Sequence, residues 1–136
     1  MAVISLDSSA MGSAAQAPPP TKPPTCSRCG GIAEFLITKR SNRNGNVGRP
    51  YYKCSLCGKF LVFCDQRGND PTNPECHCGH SSKRQISGRS KPVPGRVHYV
   101  CRLGRCNFYC AGKDEKGVDI VIDMDLVADL ARLMII

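Results

Sequence analysis

Apolar positions in this chain fall into short, separated runs rather than one sustained pattern. Residues 32–38 (IAEFLIT) form a β-prone run, and the SNRNGNVG after it is rich in turn residues. Residues 51–54 and 60–63 are two further short apolar pieces flanking a cysteine knuckle. Residues 97–101 and 107–110 repeat that pair later in the chain. Between the two sets, QRGNDPTNP reads as a linker, since Pro71 and Pro74 discourage regular structure. The stretch SSKRQISGRSKPVPG is too polar for alternation to assign an element. The end of the chain is different: Leu126, Val127, Leu130, Leu133 and Met134 make a helical stripe, with Asp123 placed to cap its start. Residues 118–122 read equally well as a strand leading into that helix. The stripe is expected to pack on the preceding module, with self-association as the other use of such a face.

The runs are organised by an internal repeat. GRPYYKC, beginning at Gly48, aligns with GRVHYVC, beginning at Gly95, at an offset of 47. Upstream, CSRCGG (from Cys26) matches ECHCGH (from Glu75); downstream, CGKF (from Cys57) matches CNFY (from Cys106). Each unit is thus a cysteine pair, 22 to 24 residues to the cysteine that closes a Gly-Arg-x-x-Tyr-x-Cys element, and a further cysteine followed by an aromatic residue. The chain divides into a leader at 1–25, modules at 26–67 and 76–113, a linker at 68–75 and an acidic tail at 114–136.

Composition changes the picture because each module has only about 40 residues. A piece that short buries too little surface to fold alone and commonly needs disulfides or a metal. There are ten cysteines and no Trp. A secreted disulfide protein should open with a basic segment, an apolar stretch and a small-residue cleavage site. The leader has no base before Lys22 and reads as a disordered Pro/Ala/Ser-rich segment. An intracellular setting is expected, the nucleus ahead of the cytoplasm, and there close cysteine pairs point to metal.

Structural Zn²⁺ takes four tetrahedral ligands, commonly as two short-spaced pairs. Cys26, Cys29, Cys54 and Cys57 meet that pattern directly. Cys76, Cys78, Cys101 and Cys106 meet it with looser spacing, and His77 and His80 stand close enough to replace a cysteine. Two structural zinc ions per chain are expected. Cys64 and Cys110 follow the aromatic run of each unit and are expected to be small buried side chains. Closed four-ligand sites leave no open position for hydrolysis, so an enzyme is not expected. The fold class expected is a small metal-stabilised β protein. It has two tandem zinc-ribbon-like antiparallel modules between a disordered leader and a short C-terminal amphipathic helix.

The net charge of +8 is uneven: residues 76–113 carry eight bases and no acid, while the tail is acidic. Four thiolates around one Zn²⁺ leave a charge of −2, so two such sites bring +8 down to +4. Much of the basic excess therefore offsets sulfur.

The motif residues Gly48, Arg49, Tyr51, Tyr52 and Cys54, and again Gly95, Arg96, His98, Tyr99 and Cys101, resemble the GRF-type zinc finger and its GRF-like zinc ribbon relatives. Small fungal proteins built mainly of such ribbons are similar in plan. The resemblance covers both modules, but the Trp-Asp that usually closes the motif is missing, with Val62 and Ala111 nearest its place. It implies a small curved antiparallel sheet around one zinc and binding of single-stranded DNA. The mechanism would be basic groups on phosphates and aromatic faces under bases. Arg49, Tyr51, Tyr52, Lys53, Arg96 and Tyr99, with Arg40 and Arg89 nearby, are the candidate contacts to single-stranded DNA or RNA. A structural hydrogen bond for the two motif arginines and a core place for the tyrosines are the plainer uses of the same residues. The competing function is a zinc-stabilised adaptor that docks a protein through residues 118–136; no membrane role is expected.

Overall fold

The computed structural model describes residues 16–136, and two small antiparallel sheets carry its architecture. In the first, β1 (Ala33–Ile37), β2 (Pro50–Cys54) and β3 (Phe60–Phe63) pair in that order. In the second, β4 (Lys83–Ile86), β5 (Val97–Val100) and β6 (Tyr109–Ala111) do the same. The polar KRQI segment that alternation left unassigned is β4. Its register opposite β5 reproduces that of β1 opposite β2, so partnership with a neighbouring strand supplied what its composition lacked.

Ahead of each sheet lies a cysteine turn closed by an isolated bridge, Thr25 with Ile32 in the first module and Glu75 with Ser81 in the second. The spacing difference between Cys26-x2-Cys29 and Cys76-x-Cys78 is absorbed inside that turn. Its closing bond runs from Cys26 N–H to Gly31 O in one and from Cys76 N–H to His80 O in the other.

Register decides which residues share a face. Tyr51 sits between Leu36 and Phe63, and a bulge after Tyr52 brings Phe60 opposite Lys53, on the Tyr51 face. In the second sheet His98 sits between Gln85 and Ala111, with Tyr109 opposite Val100, and no bulge intervenes. Tyr52 and Tyr99 point to the other face, Tyr52 edge-on to Phe35 and Tyr99 beneath the Arg84 guanidinium.

Cysteines stand in for a hydrophobic interior: among the described residues, four of the nine buried apolar ones are Cys26, Cys54, Cys76 and Cys101. An apolar cluster, Val127, Ile135 and Ile136 with Met124 and Leu130, comes from the tail and packs on Ile86 of β4. A 3-10 turn at Met124–Leu126, capped by the Asp123 side chain, leads into helix α1 (Val127–Arg132). Residues 118–122 form bridges rather than a strand, threading between Gly95 and Gly112.

The tail was expected to lie on the second module; it lies across the seam between both. Val127 fills the space over Gly45 of the first module, Arg67 donates to Ile136 O, and Arg84 of β4 donates to Ile135 O. Met134 O accepts from Gly68 N–H and from the Gln16 side chain. Val127 and Leu130 of the apolar stripe are used there, while Leu126 and Leu133 face solvent.

The segment between the modules is no loose tether. Asn69 and Asn73 are buried, and Asn73 bonds Gly68 O, Ser82 O and Arg84. Gly68, at φ +75°, passes so close to β4 that a Cβ would lie 2.1 Å from Arg84 O. The leader also divides. Residues 1–15, expected to be disordered, lie outside the described residues. Residues 16–25 run as an extended strap in which Ala17 pairs with Asn69 and Pro18 O accepts from Arg102.

Candidate metal centres and aromatic shelves

The sulfurs of Cys26, Cys29, Cys54 and Cys57 all lie within 4.8 Å of one another, as do those of Cys76, Cys78, Cys101 and Cys106. Zinc–sulfur bonds of about 2.3 Å in a tetrahedron require sulfurs about 3.8 Å apart. Cys26 and Cys57 stand at 3.7 Å, and Cys76 and Cys101 at 3.8 Å. All ten cysteines are free, so neither cluster is a cystine pair. His77 packs its ring against Phe108, edge to face, and both clusters are complete with cysteine alone.

Backbone amides prepare each cluster for negative charge. In the first, the Cys57 amide and then that of Leu56 bring Cys54 down to about 6 against the cost of burial. Cys29, hydrogen-bonded to Cys54, is pushed up to about 12. In the second, burial resists ionisation of Cys101, but the amides of Arg105, Cys106 and Leu103 outweigh it and bring the thiol to about 7. Burial and the neighbouring Cys106 push Cys78 to about 12. Four crowded thiols cannot all ionise beside one another. A dication at their centre removes that conflict, because it neutralises the thiolates it binds.

Fold and donor set together define a small metal-binding β protein, two antiparallel three-stranded sheets each with a four-cysteine cluster suited to one structural zinc ion. Residues 23–67 match the family model of the GRF-like zinc ribbon domain, covering the first module. The second module carries the same strand order and a second four-cysteine cluster outside that match. A comparison with curated proteins finds no match to the chain.

The candidate nucleic-acid residues scatter into different roles. Arg49, 6% exposed, donates twice to Asp65, at 2.6 and 2.9 Å, and lies over the Phe63 ring. Its third nitrogen donates to Asn46, so the whole guanidinium is engaged within the module. Lys83, fully buried on β4, donates to the same Asp65 carboxylate and to Asn69. Burial would raise the Asp65 carboxyl, but Arg49 and Lys83 hold it at about 2; burial takes Lys83 down to about 8 despite Asp65. Arg96 pairs with Asp119 at 3.2 Å in a more exposed setting. Tyr52 and Tyr99 occupy the face opposite the shelves, and Arg89 is exposed but ties the two inter-strand loops together through Arg43 O and Asn44. Arg40 is exposed in the β1–β2 connection.

Of that set, Tyr51 and Lys53 fall on one concave surface and Arg96 on a second. Tyr51 stacks on Phe60 at 5.7 Å, and Phe63 meets Phe60 edge-on. With Lys39 and Lys53 they line a cavity of about 390 Å³. The second module repeats this: His98 stacks on Tyr109 at 5.2 Å, beside Lys91, on a cavity of about 440 Å³. Phe60, Phe63, His98 and Tyr109, which share these surfaces, lie outside the candidate set. Strand parity, counted outward from Tyr51 and His98, was the signal that could have found Phe63. Phe60 needed the bulge.

Cys64 and Cys110 do not hold equivalent places. Cys110 lies within β6 opposite Tyr99, where Val62 stands opposite Tyr52; Cys64 follows β3, and burial pushes its thiol up. Neither belongs to a cluster.

Proposed function

We propose that this protein binds single-stranded nucleic acid along its two aromatic shelves, and that the zinc ions serve only to hold those shelves in shape. One observation carries the reading. Register-equivalent positions, Tyr51 with Phe60 and His98 with Tyr109, form a stacked pair in each module, each beside a lysine-edged cavity. Stacked aromatic faces accept any base, and lysines at the rim meet phosphates. The three linings join up in sequence of residues: Phe63 is shared between the first shelf and a small cavity at the seam, and Gln85 and Ile86 between that cavity and the second shelf. A strand lying on one shelf is thereby directed toward the other.

The adaptor reading draws less support, because the tail turns Val127, Ile135 and Ile136 inward against its own chain. Closed four-sulfur sites likewise offer no coordination position for substrate, which favours a binding role over an enzymatic one.

The test is oligonucleotide binding by the zinc-loaded chain across a salt titration. Affinity for short DNA and RNA single strands should fall steeply with salt as phosphates release counterions. Phe60→Ala and Tyr109→Ala should each weaken binding while metal content stays at two per chain. Salt-insensitive binding, or none, would overturn the proposal.

A further inference from the structure

The two shelves differ in one chemical respect. Opposite Tyr51 in the first sheet stands Leu36; at the same register in the second, opposite His98, stands Gln85. The Gly-Arg motif differs in step. Arg49 donates through Nε and both terminal nitrogens to Asp65 and Asn46, whereas Arg96 reaches Asp119 through one terminal nitrogen. Arg96 Nε and Gln85 Nε2 are both buried without a hydrogen-bond partner. Both side chains line the same cavity of about 440 Å³, a size within the range of small-molecule sites. An unpaired buried donor is costly, so two on one cavity wall call for a ligand that brings acceptors. Ala111, in the position that Phe63 takes in the first module, leaves the room for it.

We propose that the cavity of the second module is a base-selecting pocket, resting on the single-strand reading above. A base stacked on His98 and Tyr109 presents to Gln85 and Arg96 an edge with two adjacent acceptors. Guanine offers O6 and N7, and unpaired cytosine offers O2 and N3; adenine and thymine alternate donor with acceptor along their edges. Reaching the base requires the amide and the guanidinium to turn from their buried positions, and each nitrogen gains in doing so the partner it lacks. Lys91 at the rim meets the adjoining phosphate. The first module, apolar at Leu36 and with its arginine spent on Asp65, stacks bases without choosing among them.

The experiment uses the full zinc-loaded chain and short thymidine oligonucleotides in which one central base is thymine, adenine, cytosine or guanine, read by fluorescence anisotropy. The guanine and cytosine strands should bind roughly tenfold tighter than the adenine strand, the scale of one good base contact. Gln85→Leu, which installs the residue found at the same register in the first module, should lower the guanine and cytosine affinities to the adenine level. Arg96→Lys, which keeps the charge but removes Nε, should do the same and serves if Gln85→Leu loses zinc. Equal affinity for all four central bases overturns the pocket and leaves single-strand binding standing. A preference that survives both variants also overturns it. Absence of salt-sensitive binding to any strand overturns both readings together.

Discussion

The two modules share a framework and spend it differently. In each, the arginine of the Gly-Arg motif leaves the start of the middle strand and pairs with an aspartate from beyond the sheet: Arg49 with Asp65, Arg96 with Asp119. The first pair is buried, with Arg49 6% exposed, and it takes in Lys83 from the other module. In the second pair Arg96 is 37% exposed, and the acid's other partner is Lys113 of the same module. The same motif residue thus closes a sheet in both places, and only in the first does it also lock two modules together. Where the first sheet has Glu34 and Phe35, the second has Lys83 and Arg84, the residues that reach the seam. The lesson is that the repeated framework carries the zinc while the strand that differs most, β4, carries the joint.

The harshest way to break the comparison is to remove a ligand from one module at a time. Cys54→Ser and Cys101→Ser should each reduce zinc from two ions to one per chain, measured by metal analysis. Each should unfold its own module, since structural zinc supplies roughly 10–16 kcal/mol. The aspartates come next. Asp65→Asn strands a buried lysine and should cost about 3–5 kcal/mol in denaturant unfolding. Asp119→Asn breaks a partly exposed pair and should cost about 0–1 kcal/mol. Equal losses would dissolve the distinction drawn between them. Restoring much of the Asp65→Asn loss with Lys83→Met would confirm where the penalty lies.

Acid sharpens the same contrast. The Asp65 carboxyl lies below its unfolded value, so it binds fewer protons folded than unfolded. Its stabilisation is fully present above about pH 4 and drains away as pH falls toward about 2. A shift of this size corresponds to about 2 kcal/mol. Carboxyl-carbon NMR should find Asp65 still ionised at pH 4, where an ordinary carboxylate is half protonated. The smallest effect separates the two faces of each sheet. Phe60→Ala or Tyr109→Ala should weaken oligonucleotide binding by about 1–3 kcal/mol, the measured range for a base–aromatic stack. Tyr52→Ala and Tyr99→Ala, on the opposite faces, should instead lower the denaturation midpoint and leave the salt slope of binding as it is.

How much of this was legible beforehand divides along residue lines. Cys26, Cys29, Cys54 and Cys57 could be read directly, because a two-residue knuckle brings its own sulfurs together; at the looser spacing of the second module, with His77 and His80 as alternatives, the fold decided for four cysteines. Five of the six strands showed as short apolar pieces. KRQI did not: Lys83 and Arg84 are polar residues whose stems and charges are satisfied by Asp65, Asn69, Asn73 and the tail, none of them nearby in sequence. Charge and aromaticity near the motif mark Arg49, although its guanidinium is enclosed, and do not mark Phe60, which a bulge carries to the Tyr51 face.

Local chemistry by itself determined that this chain would hold two zinc ions on repeated knuckle-and-sheet units, since cysteine spacing and strand alternation act over a few residues. Tertiary structure decided how the units are joined and which face is free. Those outcomes depend on Asp65, Lys83, Asn69 and the tail meeting across distant stretches of chain, and the energy of a buried charge is set by what surrounds it rather than by its neighbours in sequence.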